Sequence, residues 1–259
     1  MTSWDPAIYL RFADERSRPF FDLLARIAAA DPATVVDLGC GPGNLTAQLA
    51  DRWSRAQVVG VDSSAEMLDR AAEHRGDRLQ FLLADLREWQ PANPVDVIVS
   101  NATLQWVPDH RGLLSRLIGY LAAGGWLAFQ VPANFDEPSH GLLRELAADA
   151  RFADATRGVW WPEVAEPADY LNDLAGLGCR VDVWETTYLH LLSGPDPVFD
   201  WVSDTGARPV LQALPDRERD EFVSAYKSAL RKAYPPGPYG IVLPFRRIFV
   251  VGQLASPGT

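Results

Sequence analysis

The chain has 259 residues, 47% of them apolar and 22% charged, a balance that suits one large globular domain and excludes a disordered or low-complexity chain. Its formal net charge of -10 argues against nucleic acid as a partner, because phosphate backbones are gripped by basic footprints. No apolar run approaches the roughly 20 residues that span a bilayer, so no membrane partner is expected, and two cysteines with four scattered histidines offer neither a disulfide framework nor a metal site.

The first stretch, "MTSWDPAIYLRFADERSRPF", mixes charges with aromatics and lacks the uninterrupted apolar segment of a secretory leader, so a cytoplasmic location is expected. Residues 35–38 then read as a buried strand that breaks into Gly39-Cys40-Gly41-Pro42-Gly43 and enters a helix near Asn44–Arg52. A strand over 57–61 is followed by a helix near 64–74, where Ser63 and Glu66 have capping-box spacing and Met67, Leu68, Ala71 and Ala72 share a face. Leu79–Leu83 and 95–100 are two further strands. Asp109 is placed to cap a helix with the apolar stripe Leu113, Leu114, Leu117, Ile118 and Leu121, which Gly124-Gly125 should end before a strand over 126–131. This alternation predicts an α/β fold with a parallel, doubly wound sheet, right-handed crossovers and a ligand site beyond the carboxyl ends of the strands. Beyond Pro132 the rhythm weakens. Segments 133–166 and 195–240 are too long for simple connections and read as cap elements, with a helix over 167–177, a strand over 179–192 and a final edge or hairpin strand over 244–254. His74, His110 and His190 are expected at the surface or partly packed, and Cys40 as a small packed residue without a neighbouring base.

The glycine turn carries the first chemical argument. A dinucleotide fingerprint wants a third glycine where Asn44 stands, and a triphosphate loop wants a lysine that is absent. Asp37, two residues before Gly39, would repel a pyrophosphate and attract a cation. A ligand that is cationic at one end and free of phosphate fits, and S-adenosylmethionine is such a ligand: the helix N-terminus can take its carboxylate while Asp37 faces its positive groups. Asp62 closes the second strand, where a carboxylate can accept both ribose hydroxyls. Asp85 follows the third strand and can accept from the adenine amino group. Asn101, Gln105 and Trp106, in "VSNATLQWV", fall at the carboxyl edge beside the methionine half.

The ordered motifs "VVDLGCGPGNLT", "VVGVDSS", "LLADLREW", "VDVIVSNATLQWV" and "GGWLAFQVP" resemble the class I S-adenosylmethionine-dependent methyltransferases. The flanking "WDPAIYLRFADERSRPF", "NFDEPSH", "WVSDTGARP" and "LPFRRIFVVG" resemble the bacterial trans-aconitate 2-methyltransferase family, which makes a monomethyl ester on one carboxylate of its acceptor. The resemblance implies a Rossmann-like, mostly parallel seven-stranded sheet with helices on both faces and a helical cap from the N-terminus and two insertions. It implies a single methyltransferase domain over 1–259, with a cofactor core at about 33–132 and cap elements at about 1–30, 133–166 and 195–240. The cofactor set is then Asp37, Gly39, Gly41, Gly43, Asn44, Asp62, Ser63, Met67, Ala84, Asp85, Leu86, Asn101, Gln105 and Trp106, with S-adenosylhomocysteine as product and no metal.

A carboxylate acceptor, with a reference pKa near 4, is already ionised at neutral pH, so no catalytic general base is expected and the work should be alignment. Trp106, Phe135, Trp160 and Trp161 are candidates for a dry aromatic wall, which costs a charge-neutralising transition state less than it costs the separated ions. The small anionic partner needs paired cations: Arg208 and Arg246 are the first choices, with Tyr9, Phe12, Tyr234 and His140 completing the acceptor set. Pro209 should hold Arg208 extended, and strand alternation should turn Arg246 and Arg247 to opposite faces, one toward the site and the other toward solvent. A monomer is expected. Rival readings are a methyltransferase of the same fold acting on an acyl-chain carboxylate or a carbon acceptor, a non-catalytic binding protein of that fold, and an NAD-linked oxidoreductase, which Asp37 and Asn44 disfavour.

Overall fold

The computed structural model describes residues 13–256. After helix α1 (Ala13–Leu24) come β1 (Thr34–Leu38), α2 (Asn44–Arg52), β2 (Gln57–Asp62), α3 (Ala65–Ala71), β3 (Leu79–Leu83), β4 (Val95–Asn101), α4 (His110–Gly119) and β5 (Leu121–Pro132). There follow α5 (Pro138–Ala147), α6 (Ala153–Thr156), α7 (Pro167–Gly176), β6 (Cys179–Leu192), α8 (Pro197–Ser203), α9 (Arg208–Ala213), α10 (Asp216–Ala233) and β7 (Ile241–Leu254). The strands form one seven-stranded sheet in the order β3-β2-β1-β4-β5-β7-β6. β1 is parallel to β2 and β4, β2 to β3, and β4 to β5, while β7 runs antiparallel to β5. The mostly parallel, doubly wound sheet expected from the sequence is therefore present.

Val35, Leu38, Val97, Val99, Leu127 and Phe129 are fully buried, as the near-continuous apolar strands of a sheet covered on both faces require. The chain winds outward from β1 to β3 and, after crossing back to β4, outward the other way. Right-handed crossovers then put α2 and α3 on one face and α4 on the other. On that second face α4 packs on α7, where buried His110 shares a 2.6 Å hydrogen bond with the Tyr170 hydroxyl. The reversal of strand order falls between β1 and β4, the position where ligands of open α/β sheets bind.

The chain divides into two compact units. One holds Ser17–Pro132, Val164–Thr186 and the residues from Arg247 on. The other holds Ala133–Glu163 and Thr187–Arg246, whose core gathers Leu143 of α5, Phe152 just before α6, Trp201 of α8, and Phe222, Tyr226 and Leu230 of α10. Tyr226 donates from its hydroxyl to the Ser139 carbonyl at 2.6 Å, and the Ser139 amide donates to the Tyr234 hydroxyl at 3.0 Å. Among the described residues no helix is long and apolar enough to cross a membrane.

Several local expectations are corrected. Helix α4 stops at Gly119, so Leu121 belongs to β5 and Gly124-Gly125 lie inside that strand. The pairing of β4 with β5 shifts register between Val95 and Val97, and a Cβ on Gly125 would stand 3.1 Å from the Val95 carbonyl oxygen, so the glycine serves a close backbone approach and not a helix cap. The cap of α3 is Ser64, which accepts from the Met67 amide at 3.3 Å, one residue beyond the expected Ser63. Asp109 holds the N-cap position of α4 at φ 52° but makes no side-chain capping bond. The final strand is flanked by β5 and β6, so β6 is the edge. His110 and His190 are each 5% exposed and belong to the interior.

Gly39 shows how tightly the turn after β1 is built. Its φ is +79°, and an added Cβ would lie 2.2 Å from Oγ1 and Cγ2 of Thr103. Gly39→Ala therefore combines left-handed backbone strain with overpacking and should lower stability by about 2–5 kcal/mol in denaturant unfolding. Adding Thr103→Gly should recover the overpacking part and leave the strain; an unchanged midpoint for the single variant would contradict the close approach.

Candidate functional site

The strand-helix turn of residues 39–43 exists because β1 ends against β2. The Gly39 and Cys40 amides donate to the Val61 carbonyl at 2.7 and 3.1 Å, and Gly39, Gly41 and Gly43 all have positive φ. Gly43 is the N-cap of α2, where a side chain would collide with Phe81 and Ala71. Asp62 fixes the turn from the neighbouring strand. One of its oxygens accepts from the Gly41 amide at 2.9 Å and the other from the Ser64 amide at 2.8 Å. Each oxygen keeps a further lone pair for a ligand.

A cavity of about 270 Å³ opens there, lined by Gly39, Asp62, Ser63, Asp85, Leu86, Arg87, Thr103, Trp106, Val107 and Pro108. Six of the sequence-derived cofactor residues line it: Gly39, Asp62, Ser63, Asp85, Leu86 and Trp106. Arg87, Thr103, Val107 and Pro108 were missed. Thr103 lies three residues past the expected strand, and only its contact with Gly39 ties it to the turn; Arg87 lies two residues after Asp85, the spacing of a local side-chain turn, which was the available signal. The Arg87 amide donates to Asp85 at 2.8 Å, and its guanidinium reaches both carboxylate oxygens, the shorter bond 2.6 Å. Those bonds hold the Asp85 carboxyl down at about 2.

The other expected cofactor residues stand back from this cavity. Asp37 is 3% exposed and accepts from the Thr46 hydroxyl at 2.7 Å, which braces α2 against β1. Burial raises its carboxyl to about 6, the Thr46 bond opposing and the Asp62 charge assisting. Gly41 and Gly43 shape the turn, Asn44 is exposed at the first position of α2, Met67 is half-buried on α3, and Ala84 joins its amide to the Asp62 carbonyl at 3.0 Å. Gln105 is buried beside Trp106. Its amide nitrogen donates to the Ala102 carbonyl at 2.6 Å, and its Oε1 has no hydrogen-bond partner among the described residues. Asn101 accepts at Oδ1 from Gln130 at 2.8 Å, and Gln130 accepts from Arg247 at 3.1 Å.

Among the expected acceptor residues, Phe135 and His140 meet edge to face at 5.4 Å, and Tyr234 bonds Ser139 next to His140. Burial, then the Arg144 charge, lowers His140 to about 4, so its ring is neutral at pH 7. A Cβ on Gly206 would lie 2.7 Å from His140 Nε2, which brings this group within two residues of Arg208. Arg208 is the first residue of α9 and is helical, not extended: Pro209 stands in the first helical turn, where its missing amide hydrogen is not needed. The main chain of Arg246 is clasped by Asn134, which accepts from its amide at 2.7 Å and donates to its carbonyl at 3.0 Å. Neither arginine of the pair is simply turned to solvent: Arg247 is buried within the sheet and Arg246 is half-buried. Trp161 packs on the core of its unit, while Trp160 is 42% exposed and not gathered with the others. Tyr9 and Phe12 lie outside the described residues. Among the described residues no three His, Cys, Asp or Glu side chains converge as metal ligands.

Comparison with known proteins agrees with this geometry. Residues 11–172 match the family model described as a methyltransferase domain. A trans-aconitate 2-methyltransferase of Streptomyces avermitilis is 55% identical, with 97% of each chain covered, and one from Azoarcus sp. is 48% identical over 97% of this chain and 99% of its own. A putative methyltransferase from Bacillus halodurans shares the fold at a TM-score of 0.58 and 12% identity, covering 91% of this chain and 98% of its own. With the glycine turn and its acids inside the matched region, and relatives aligned nearly end to end, the chain belongs to the methyltransferase-domain family and, within it, to the trans-aconitate 2-methyltransferases.

Proposed function

We propose that this protein transfers a methyl group from S-adenosylmethionine to one carboxylate of trans-aconitate, giving the monomethyl ester and S-adenosylhomocysteine. The observation that carries the reading is the 55% identity to a trans-aconitate 2-methyltransferase over 97% of both chains, joined to an acid-lined cavity at the strand-order reversal.

The residues fit the cofactor. Asp62 is held by two backbone amides and still has acceptor capacity for both ribose hydroxyls. Asp85, also on the cavity wall, is assigned to the adenine end, its bonds to exposed Arg87 being of the weak surface kind that a ligand can exchange. Gly39 brings the chain close without a side chain in the way, and buried Asp37 sets a negative field for a cation without touching the cavity. When bound, S-adenosylmethionine supplies a methyl group on a sulfonium. The acceptor oxygen forms its bond to the methyl carbon as the carbon–sulfur bond breaks, and the bonding pair stays on sulfur. No proton moves, so the protein's task is alignment, for which good positioning supplies roughly 7–11 kcal/mol. Arg208 is the proposed partner of a non-reacting carboxylate, because a guanidinium matches it in two-point geometry.

Asp62→Ala should weaken S-adenosylmethionine binding by about 1.5–3 kcal/mol in calorimetry; unchanged affinity in a folded variant would remove Asp62 from the ribose site. With both substrates saturating, the methyl-transfer rate should be flat from about pH 6 to 8, since the acceptor is already ionised. Cofactor affinity should behave differently: Asp37 is charged above about 6, so its attraction for a cation is present at neutral pH and fades as pH falls through that value. A rate that climbs with a midpoint near 7 would count against a carboxylate acceptor. For Arg208, replacement by Ala should raise the acceptor KM at least about tenfold while leaving cofactor affinity within about twofold, and replacement by Lys should already hurt. Normal acceptor kinetics in a stable Arg208→Ala protein would end that assignment.

A further inference from the structure

Three side chains on neighbouring strands form a polar line, and its two buried members, Gln130 and Arg247, are left without a task by the reaction described above. Asn101 ends β4, Gln130 stands opposite it on β5, and Arg247 lies diagonally across on β7, where Phe249 is the direct partner of Gln130. Gln130 is fully buried and Arg247 is 5% exposed. In a sheet interior otherwise filled with Val, Leu, Ile and Phe, a guanidinium and a primary amide are costly unless bonded, and one line of hydrogen bonds joins them. Arg247 Nη1 donates to Gln130 Oε1 at 3.1 Å, and Gln130 Nε2 donates to Asn101 Oδ1 at 2.8 Å.

The polarity of this line is forced. A guanidinium has donors only, so the oxygen of Gln130 must face Arg247. The nitrogen of Gln130 must then face Asn101, which can meet it only with Oδ1. The Asn101 amide group, which could otherwise lie either way round, is left with Nδ2 directed away from the line. Among the described residues no protein group accepts from Nδ2, and it is not one of the sealed polar atoms. The following residues hold this end of the strand in place. The Ala102 amide donates to the Gln130 carbonyl at 3.0 Å, Ala102 has a φ of 53°, and the Thr103 hydroxyl donates to the Asn101 carbonyl at 3.2 Å while Thr103 lines the cavity.

We propose that Arg247 and Gln130 are positioning residues that act through Asn101: they lock its amide so that two N–H donors, and no acceptor, meet a carboxylate at the carboxyl end of β4. The inference rests on the methyl-transfer reading. Two carboxylates could receive the bond, the one at the amino-acid end of S-adenosylmethionine and the one on the acceptor, and the measurements separate them.

The discriminating variant is Gln130→Glu. A carboxylate there accepts from Arg247 as before but can only accept from Asn101, so the Asn101 amide must turn over and present Oδ1 to the ligand. Arg247 supplies a counter-charge for the new carboxylate, a melting curve checks that the variant folds, and ligand binding suffers. Cofactor affinity by calorimetry should fall about 10- to 100-fold if the cofactor's carboxylate is the ligand; acceptor KM or kcat should change by that factor with cofactor affinity intact if the acceptor's is. Asn101→Asp leaves the line bonded and removes only the donors, so it should show the same loss. In an Asn101→Ala background Gln130→Glu should add less than about a twofold effect, because its action passes through Asn101. Gln130→Met, which leaves the amide free to turn either way, gives a smaller loss and serves if the Glu variant does not fold. Full affinity and kinetics in folded Gln130→Glu and Asn101→Asp, or effects that multiply in the double variant, would overturn the inference. Absence of any methyl transfer to trans-aconitate by the parent protein would instead overturn the functional reading, while the calorimetric comparison still reads the line.

Discussion

The site depends on one carboxylate holding two backbone amides. Asp62 accepts from Gly41 in the turn after β1 and from Ser64 in the turn after β2, at 2.9 and 2.8 Å. Parallel strands fix the distance between their ends, but they do not fix the loops that leave them. A single ionised side chain bonded to both loops does so, and hydrogen bonds to a charged acceptor are about twice as strong as neutral ones. The cavity floor is therefore set by the same group whose remaining lone pairs are proposed to take the ligand. Loop order and ligand binding become two readings of one interaction.

Asp37 has the opposite energetic character. Its carboxyl is raised to about 6 from 3.8, chiefly by burial. A group that holds its proton more tightly when folded favours the fold most below its unfolded value, and that contribution is lost as pH rises through the folded value. At neutral pH the folded protein thus carries a buried charge whose one side-chain hydrogen bond among the described residues comes from the Thr46 hydroxyl. An uncompensated interior anion is a poor stabiliser and a good reservoir of field. In the proposed function a bound sulfonium would recover some of that cost, so a neutral residue at this position would brace α2 equally well yet serve the chemistry less.

Much of this was legible in the sequence because the signals were periodic or geometric. Apolar runs of strand length separated by amphipathic helices specify a parallel sheet, and a glycine turn after the first strand with acids after the second and third places a ligand at the strand ends. What was not legible depended on contacts across strands. Gly124-Gly125 has the same letters at a helix stop and at a close approach inside β5, and only the register shift against β4 distinguishes them. Pro209 was read through its effect on the preceding backbone, whereas a helix start tolerates it. Thr103 reaches the cavity through a contact with Gly39, which no motif spacing records. Asp62 and Asp85 were expected from their places at the ends of β2 and β3, and the structure puts both on the cavity wall, but the Gly41 bond that ties one loop to the next was not foreseen, since a hydrogen bond between loops leaves no pattern in a single chain.

The balance of charge gives the buried line its meaning. A protein with a net charge of -10 repels an anionic ligand at long range. It must supply positive polarity locally, where low dielectric keeps the interaction strong and salt does not screen it. A surface lysine would meet that need loosely, since its flexible stem and compact charge fix no direction. An arginine buried among β-strands cannot move far, and its polarity reaches the strand end through two amides that hold fixed positions in the sheet. In this proposal the carboxyl end of β4 presents N–H donors aimed by the sheet itself. That arrangement suits a reaction whose demand is alignment, because its direction is set by three rigid strands and not by a mobile side chain.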